Sequence, residues 1–154
     1  MGDRIEISAA NTRGDVVDIG LRTTRVRTRD SRLVIILNSL IAQNEVINYA
    51  YPDPTYRIQT EVELDYKTDI EQARQIMANA VRTVPDVLKD KPVDVLYSEM
   101  GNSAMVFIVR WWIETYVDTR RVTDKVNTAL QEALNAAGFK APYPTQSIYL
   151  RNET

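Results

Sequence analysis

The chain has 154 residues, a formal charge of −2, 26% charged residues and 44% apolar residues. This length fits one domain or two small ones, and the composition is typical of a folded protein rather than a disordered one. Cysteine and histidine are both absent, which excludes disulfides, thiolate chemistry and histidine-based catalysis or zinc binding. None of the five glycines has a phosphate-loop spacing, so we expect no cofactor and no metal.

The segment contains no predicted membrane-spanning helix. No apolar run approaches the roughly 20 residues that are needed to cross a bilayer. Residues 4–7 already alternate like a strand, without the apolar core of a signal peptide. We interpret Met1 as a cut within a longer protein.

Residues 1–50 are predicted to form a small β-barrel domain. Five short stretches have strand character, and turn residues such as Gly14 and Gly20 separate them: 4–7, 15–19, 23–28, 33–37 and 45–49. Pro52 and Pro54 then break the pattern, because proline lacks a backbone donor and restricts the residue before it. Residues 51–56 are predicted to be a linker.

Residues 57–140 are predicted to form a ferredoxin-like α/β domain. An alternating strand at 57–66 precedes a helix that opens with a capping box at Thr68 and ends before Pro85. Strands at 93–99 and 104–116 follow, and then a helix that ends near Gly138. With a last strand at 147–150 in the tail, 141–154, this is the ferredoxin-like succession.

Arginines make one face of the third strand basic, since Arg25, Arg27 and Arg29 alternate with Val26. Such a face is often only solvated, but it can also contact RNA, anionic lipid headgroups or permeating anions. This stretch contains no aromatic residue on which a base could stack. We therefore expect no specific nucleic-acid binding.

The strand at 105–113 is apolar on both faces. Its odd-numbered residues are predicted to pack on the two helices, whereas Ile108, Arg110 and Trp112 lie on the side that a ferredoxin-like sheet leaves bare. This side is a candidate interface with another subunit or domain, unless Trp112 merely covers the edge of the sheet. We expect Arg110 to pair there with Glu61 or Glu63.

The sequence does not predict an enzyme. Glu61, Glu63 and Glu99 are the only plausible acid–base carboxylates on a shared sheet, and solvated strand faces look the same. No oriented nucleophile, base or oxyanion donor accompanies them.

Four segments resemble the cytosolic part of the small-conductance mechanosensitive channel family. They are residues 14–30 (GDVVDIGLRTTRVRTRD), 33–39 (LVIILNS), 46–49 (VINY) and 142–146 (PYPTQ). One departure is Leu37, which stands where the family usually has proline. The resemblance implies an α+β fold with a Sm-like β-barrel, a ferredoxin-like domain and a C-terminal strand.

The resemblance also implies an osmotically protective, tension-gated channel that releases ions and small osmolytes. The expected assembly is a homo-heptamer in the cell's inner or plasma membrane, with this segment on the cytoplasmic side and the transmembrane helices outside it. Ile148 and Leu150 would join other copies in a small parallel barrel.

The family motif includes Gly14, Asn38, Ser39 and Asn48. We expect residues 37–39 to form a turn that faces the pore helix, with the Asn38 side chain bonded to local backbone groups. Two other interpretations remain: a stand-alone Sm-like and ferredoxin-like nucleic-acid module, and a small-molecule-sensing or catalytic ferredoxin-like domain.

Overall fold

The computed structural model describes residues 2–140 and 142, and the chain divides into two compact units between Tyr56 and Arg57. The fold class is α+β, as predicted from the sequence. The first unit contains one five-stranded sheet and a short helix. The second contains a three-stranded sheet and two longer helices.

The sheet of the first unit has the strand order β4-β3-β2-β1-β5, and neighbouring strands are antiparallel. The strands are β1 (Arg4–Ile7), β2 (Thr12–Ile19), β3 (Thr23–Thr28), β4 (Leu33–Leu37) and β5 (Val46–Asn48). Helix α1 (Asn38–Ala42) follows β4 directly. Among the described pairings, β4 and β5 form the two ends of this sheet. Its core consists of inward-facing apolar side chains: Ile5, Ile7, Val16, Val26 and Ile36.

Gly14 lies inside β2 and does not separate strands, which corrects the sequence prediction. A Cβ atom at this position would lie 2.3 Å from the backbone oxygen of Arg27 on β3. No side chain fits at such a separation, so the glycine permits β2 and β3 to approach closely. The strand therefore continues from Thr12 through Gly14 to Ile19.

The sheet of the second unit has the strand order β6-β8-β7, with β6 (Tyr56–Leu64), β7 (Asp94–Met100) and β8 (Met105–Ile113). Helices α2 (Ile70–Thr83) and α3 (Thr119–Ala136) pack against each other, and α2 also packs against β7 and β8. A strand–helix–strand–strand–helix chain with its third strand in the centre has ferredoxin-like topology.

The alternation of β8 produces the core of the second unit, as predicted. Its odd-numbered side chains are almost fully buried: Met105, Phe107, Val109, Trp111 and Ile113. The helices contribute buried residues at helical spacing: Ala73, Met77, Ala80 and Val81 from α2, and Val122, Val126, Leu130 and Leu134 from α3. Transfer of this apolar area from water is the main term that stabilises the unit.

Both predicted helix-end signals are present, one of them shifted by a residue. The N-cap of α2 is Asp69 rather than Thr68, and its side chain accepts a hydrogen bond from the backbone N–H of Gln72 at 2.9 Å. At the end of α3, Gly138 has φ +79°. The backbone N–H of Phe139 donates to the carbonyl of Leu134, which completes a Schellman motif.

Strand β8 ends at Ile113, three residues earlier than predicted. The Thr115 side chain accepts a hydrogen bond from the backbone N–H of Val117 at 3.4 Å and caps a short 3-10 turn, Tyr116–Asp118. This local bond competes with strand pairing. Within residues 2–140 and 142, no helix is long and apolar enough to cross a membrane.

Candidate functional site

Asn38 links α1 to the loop between β2 and β3. Its side-chain N–H donates to the Gly20 carbonyl at 2.9 Å, and its side-chain oxygen accepts from the hydroxyl of Thr24 at 2.8 Å. The backbone N–H of Asn38 also donates to the carbonyl of Arg22. Asn38 and Ser39 therefore begin a short helix rather than a turn, and the Asn38 side chain bonds to a loop 18 residues away instead of local backbone.

The end of the first unit that carries this loop is unusually apolar. Leu21, in the loop that Asn38 holds, is fully exposed, and Ile19 and Leu37 are both more than half exposed. Exposed leucine and isoleucine side chains at one end of a sheet indicate a contact surface rather than a solvated end. We call these three residues the apolar end of the first unit.

Asn48 terminates β5 through its side chain. Its oxygen accepts hydrogen bonds from the backbone N–H groups of Ala50 and Tyr51, at 2.8 and 3.1 Å. Its N–H donates to the Asp3 carboxylate at 3.2 Å. Asn48 thus fixes the point at which the chain leaves the sheet, as asparagine does in turns of this kind.

Acidic residues on β2 offset part of the basic face of β3. Asp15 is paired with Arg27 in the strand register, and Asp18 lies 3.6 Å from Arg25. Arg4 on β1 makes two hydrogen bonds of 2.7 Å to the Asp15 carboxylate. Arg25, Arg27 and Arg29 are all exposed, but this face carries both signs of charge rather than one.

The Arg4–Asp15 pair makes a pH-dependent contribution to stability. The hydrogen bonds from Arg4, together with the charge of Arg27, lower the pKa of Asp15 below its usual value. Because the folded pKa is depressed, this contribution is complete above the pKa of the unfolded chain. It is lost as the pH falls through the lower pKa of the folded state.

We therefore expect Asp15→Asn to lower the free energy of unfolding by about 1 kcal/mol at pH 7 and to have almost no effect near pH 2. The figure is small because solvent screens a carboxylate that is about one-third exposed. Urea unfolding at both pH values tests this. Asp18→Asn serves as the control, since its longer, exposed pair with Arg25 predicts a smaller effect. An equal loss at both pH values would contradict the assignment.

In the second unit, the even-numbered side chains of β8 lie on the face opposite the helices, and they are only half-buried. Leu96 of β7 is paired with Ile108 and is exposed. The Nζ atom of Lys91 lies 5.3 Å from the ring centroid of Trp112. We call this surface, with Leu96, Ile108, Arg110 and Trp112, the open face.

Arg110 does not form the ion pair that we predicted with Glu61 or Glu63. Its Nε–H donates instead to the side-chain oxygen of Gln59 at 3.2 Å. The ion pairs among the described residues do not include Arg110. Strands β6 and β8 are neighbours as predicted, but the β6 side chain that bonds to the guanidinium is the neutral Gln59.

Ile148 and Leu150 lie outside the described residues. The sequence analysis did not identify Asp15, Asp18 and Gln59 as site residues. Asp15 and Asp18 lie opposite arginines of β3, and Gln59 accepts a hydrogen bond from Arg110. In the part of the chain that the structure describes, no group of three acidic side chains is arranged to hold a metal ion.

Family models match both units. The model described as "Mechanosensitive ion channel, beta-domain" matches residues 1–51, and "Mechanosensitive ion channel MscS, C-terminal" matches residues 58–141. An uncharacterized MscS family protein of Buchnera aphidicola subsp. Baizongia pistaciae is 31% identical over 91% of this chain and 49% of its own length. The small-conductance mechanosensitive channel of Edwardsiella ictaluri is 26% identical over 89% of this chain and 51% of its own length.

The crystal structure of Helicobacter pylori MscS in its closed state superposes with a TM-score of 0.87 at 25% identity. The superposition covers 99% of this chain and 59% of the Helicobacter pylori chain. Arabidopsis thaliana MSL1 shows the same fold, with a TM-score of 0.72 at 19% identity, over 94% of this chain and 53% of its own. The fold is thus that of a β unit and a C-terminal α/β unit of mechanosensitive channels.

The chain belongs to the MscS family of mechanosensitive ion channels. This confirms the resemblance drawn from the sequence motifs. The chain spans about half the length of the curated relatives that it matches. Membership of a channel family agrees with the prediction that the chain is not an enzyme.

Proposed function

We propose that the chain is the cytosolic vestibule part of a tension-gated channel that releases ions and small osmolytes under osmotic stress. The observation that carries the proposal is that each unit matches a family model of mechanosensitive channels, the β-domain model first and the C-terminal model after it. The whole channel is a homo-heptamer in the inner or plasma membrane, and its membrane-spanning helices lie outside this segment. In this proposal residues 1–50 form a Sm-like barrel, 51–56 a linker, 57–140 the ferredoxin-like domain and 141–154 a tail.

The apolar end of the first unit is where we place the contact with the pore helices. Three exposed apolar side chains lie at this end, and Asn38 bonds there to the loop through Gly20 and to β3 through the hydroxyl of Thr24. Such a rigid apolar contact can transmit a movement of the helices to the sheet. We assign Asn38 and Ser39 to this junction and Gly14 and Asn48 to the geometry of the sheet behind it.

The open face is where we place a contact with a neighbouring copy. Leu96, Ile108 and Trp112 leave apolar area unburied on it, and one copy next to another in a ring would cover that area. The tail residues Ile148 and Leu150 are assigned, from the family resemblance, to a small parallel barrel shared by all copies. This barrel would hold the ring together at its base.

The mixed charge of the β3 face weighs against the alternative of a nucleic-acid module. Arg25 and Arg27 each lie opposite a carboxylate, so fewer positive charges are left to neutralise phosphates. The strand also lacks an aromatic side chain for stacking. A charged surface beside the path of permeating ions explains these arginines better than nucleic-acid binding does.

Patch recordings of the full-length protein, of which this chain is a part, test the proposed function. We expect membrane tension to open a conductance in wild type. Asn38→Ala should shift the tension threshold or slow the recovery, because it removes the bond to Gly20 and leaves the buried Thr24 hydroxyl without its acceptor. Asn127→Ala, an exposed change on α3, is the matched control and should behave like wild type.

The recordings distinguish a failure of the proposed channel function from a failure of the role assigned to Asn38. No tension-dependent current in wild type would overturn the channel function itself. A normal current with an Asn38→Ala threshold and recovery equal to wild type would leave the channel function standing and remove the assigned role of the α1 junction.

A further inference from the structure

A basic cavity lies between α2 and the edge strand β7 of the second unit. Its volume is about 350 Å³, and its lining includes Arg74, Gln75, Asn79, Arg82, Val93 and Val95. A second cavity of about 210 Å³ adjoins it, because the two share Arg82 and Val93. This second cavity adds Lys89 and Lys91 to the lining.

The charge of this double cavity is one-sided. Arg74, Arg82 and Lys89 contribute positive charge to it, whereas the ammonium group of Lys91 lies over Trp112 on the open face. No described residue in the lining carries a carboxylate. Arg74 forms an ion pair with Glu71, whose exposed carboxylate lies 3.5 Å from the Nη1 atom and outside the lining. A concave site lined by one sign of charge concentrates ions of the opposite sign.

One donor in the lining is buried without a partner. The Nε–H of Arg74 is inaccessible to solvent and makes no hydrogen bond. Leaving a buried donor without an acceptor is unfavourable, and more so when the group is charged. The hydroxyl of Tyr97, two residues after Val95 on the same strand, is also buried and unpartnered. An anion in the cavity can pair with the outer Nη groups of Arg74, whose side chain is 41% exposed.

The arginines are spaced along one side of α2. Arg74 and Arg82 are eight residues apart, which is about 12 Å along a helix, and Ala78 lies between them one turn from each. The small side chain of Ala78 keeps the wall of the cavity open between the two guanidinium groups. Both arginine side chains are long and flexible, so their guanidinium groups can converge on one ligand with two anionic groups, whereas a single small anion would pair with only one of them.

We propose that this double cavity binds a compact anion with two carboxylate or phosphate groups, one held by Arg74 and the other by Arg82 with Lys89. Arginine is suited to both groups, because its planar N–H donors match carboxylate and phosphate oxygens. No aromatic side chain lines either cavity within the described residues, so the site offers no stacking surface for a nucleobase. The inference goes beyond the channel function and does not depend on it.

Titration calorimetry of the purified protein with glutarate and with pyrophosphate, at fixed ionic strength, tests the site. We expect one of the two to bind with 1:1 stoichiometry and at least tenfold more tightly than acetate. Whichever binds more tightly identifies the preferred group as carboxylate or phosphate. Arg74→Gln and Arg82→Gln should each weaken that binding at least tenfold, and Arg74→Lys should weaken it less than Arg74→Gln.

Arg120→Gln is the matched control, since Arg120 is an exposed arginine on α3 outside both cavities, and it should change the affinity less than twofold. Urea unfolding of each variant shows whether it folds, and the bound anion should raise the unfolding midpoint of wild type but not of the double variant Arg74→Gln/Arg82→Gln. The proposal is overturned if both dianions bind no more tightly than acetate. It is equally overturned if Arg120→Gln weakens binding as much as Arg74→Gln does.

Discussion

Trp111→Ala is expected to lower the free energy of unfolding of the second unit by about 3 to 5 kcal/mol. The Trp111 side chain is fully buried on β8, the central strand of the sheet, and faces the helices. Its removal leaves a cavity that the surrounding apolar side chains fill only in part, in addition to the lost transfer free energy. A loss of this size is a large fraction of the stability of a small unit.

Trp111→Phe is the informative companion variant. The indole N–H of Trp111 is buried and has no hydrogen-bond partner, so its removal offsets part of the lost packing. We expect Trp111→Phe to cost less than half as much as Trp111→Ala. Urea unfolding followed by circular dichroism measures both. If the two variants were equally destabilised, the indole N–H would have a partner and the packing of this site would differ from that described.

Trp112→Ala is expected to weaken the assembly of the full-length channel while leaving the monomer nearly as stable as wild type. Trp112 is the neighbour of Trp111 in sequence but points to the open face, where it is only half-buried. If a neighbouring copy covers this face, Trp112 is a buried aromatic at an interface, the type of residue whose truncation costs about 2 kcal/mol or more of binding. Oligomer survival in detergent and urea unfolding of the monomer are the two measurements.

Arg110→Ala should have a milder effect on the same assembly. Its side chain is bonded to the neutral Gln59, so the variant leaves no unpaired charge behind. A pair with Glu61 or Glu63 would have given a larger effect, because the variant would then have left a carboxylate unpaired. Intact oligomers in both variants, together with equal loss of monomer stability, would show that the open face is part of the core within one subunit and that the proposed interface does not exist.

Local patterns gave the secondary structure with few errors. The 3.6-residue spacing of apolar side chains located α2 and α3, and alternation located β6 and β8, because each pattern reflects which side of one element is buried. Two errors concerned whole features, since Gly14 lies inside β2 and helix α1 begins where a turn was predicted, and the others fell at the ends of elements. A threonine cap ended β8 early, and Asp69 replaced Thr68 as the N-cap of α2.

The sequence could not predict the partners of the selected residues. Asn38 was expected to bond locally, but it bonds to Gly20 across the end of the sheet. The arginines of β3 were expected to form a basic face, but Asp15 and Asp18 of the neighbouring strand lie beside them. The pairing of these aspartates with the arginines depends on the register of β2 and β3, which a bulge between Val16 and Asp18 shifts.

The sequence by itself determined the two-unit α+β architecture, the buried face of β8, the C-cap at Gly138 and the family, because periodicity and turn chemistry are properties of residues close together in the chain. The tertiary structure alone decided that Gly14 must lack a side chain, since the Arg27 carbonyl that requires this belongs to another strand. It alone brought Arg74 and Arg82 of α2 together with Lys89 and the edge of β7 around one cavity. Packing brings together residues that are far apart in the sequence. The charge of a surface or cavity is the sum of the charges of all the residues that line it, so a local sequence pattern does not determine it.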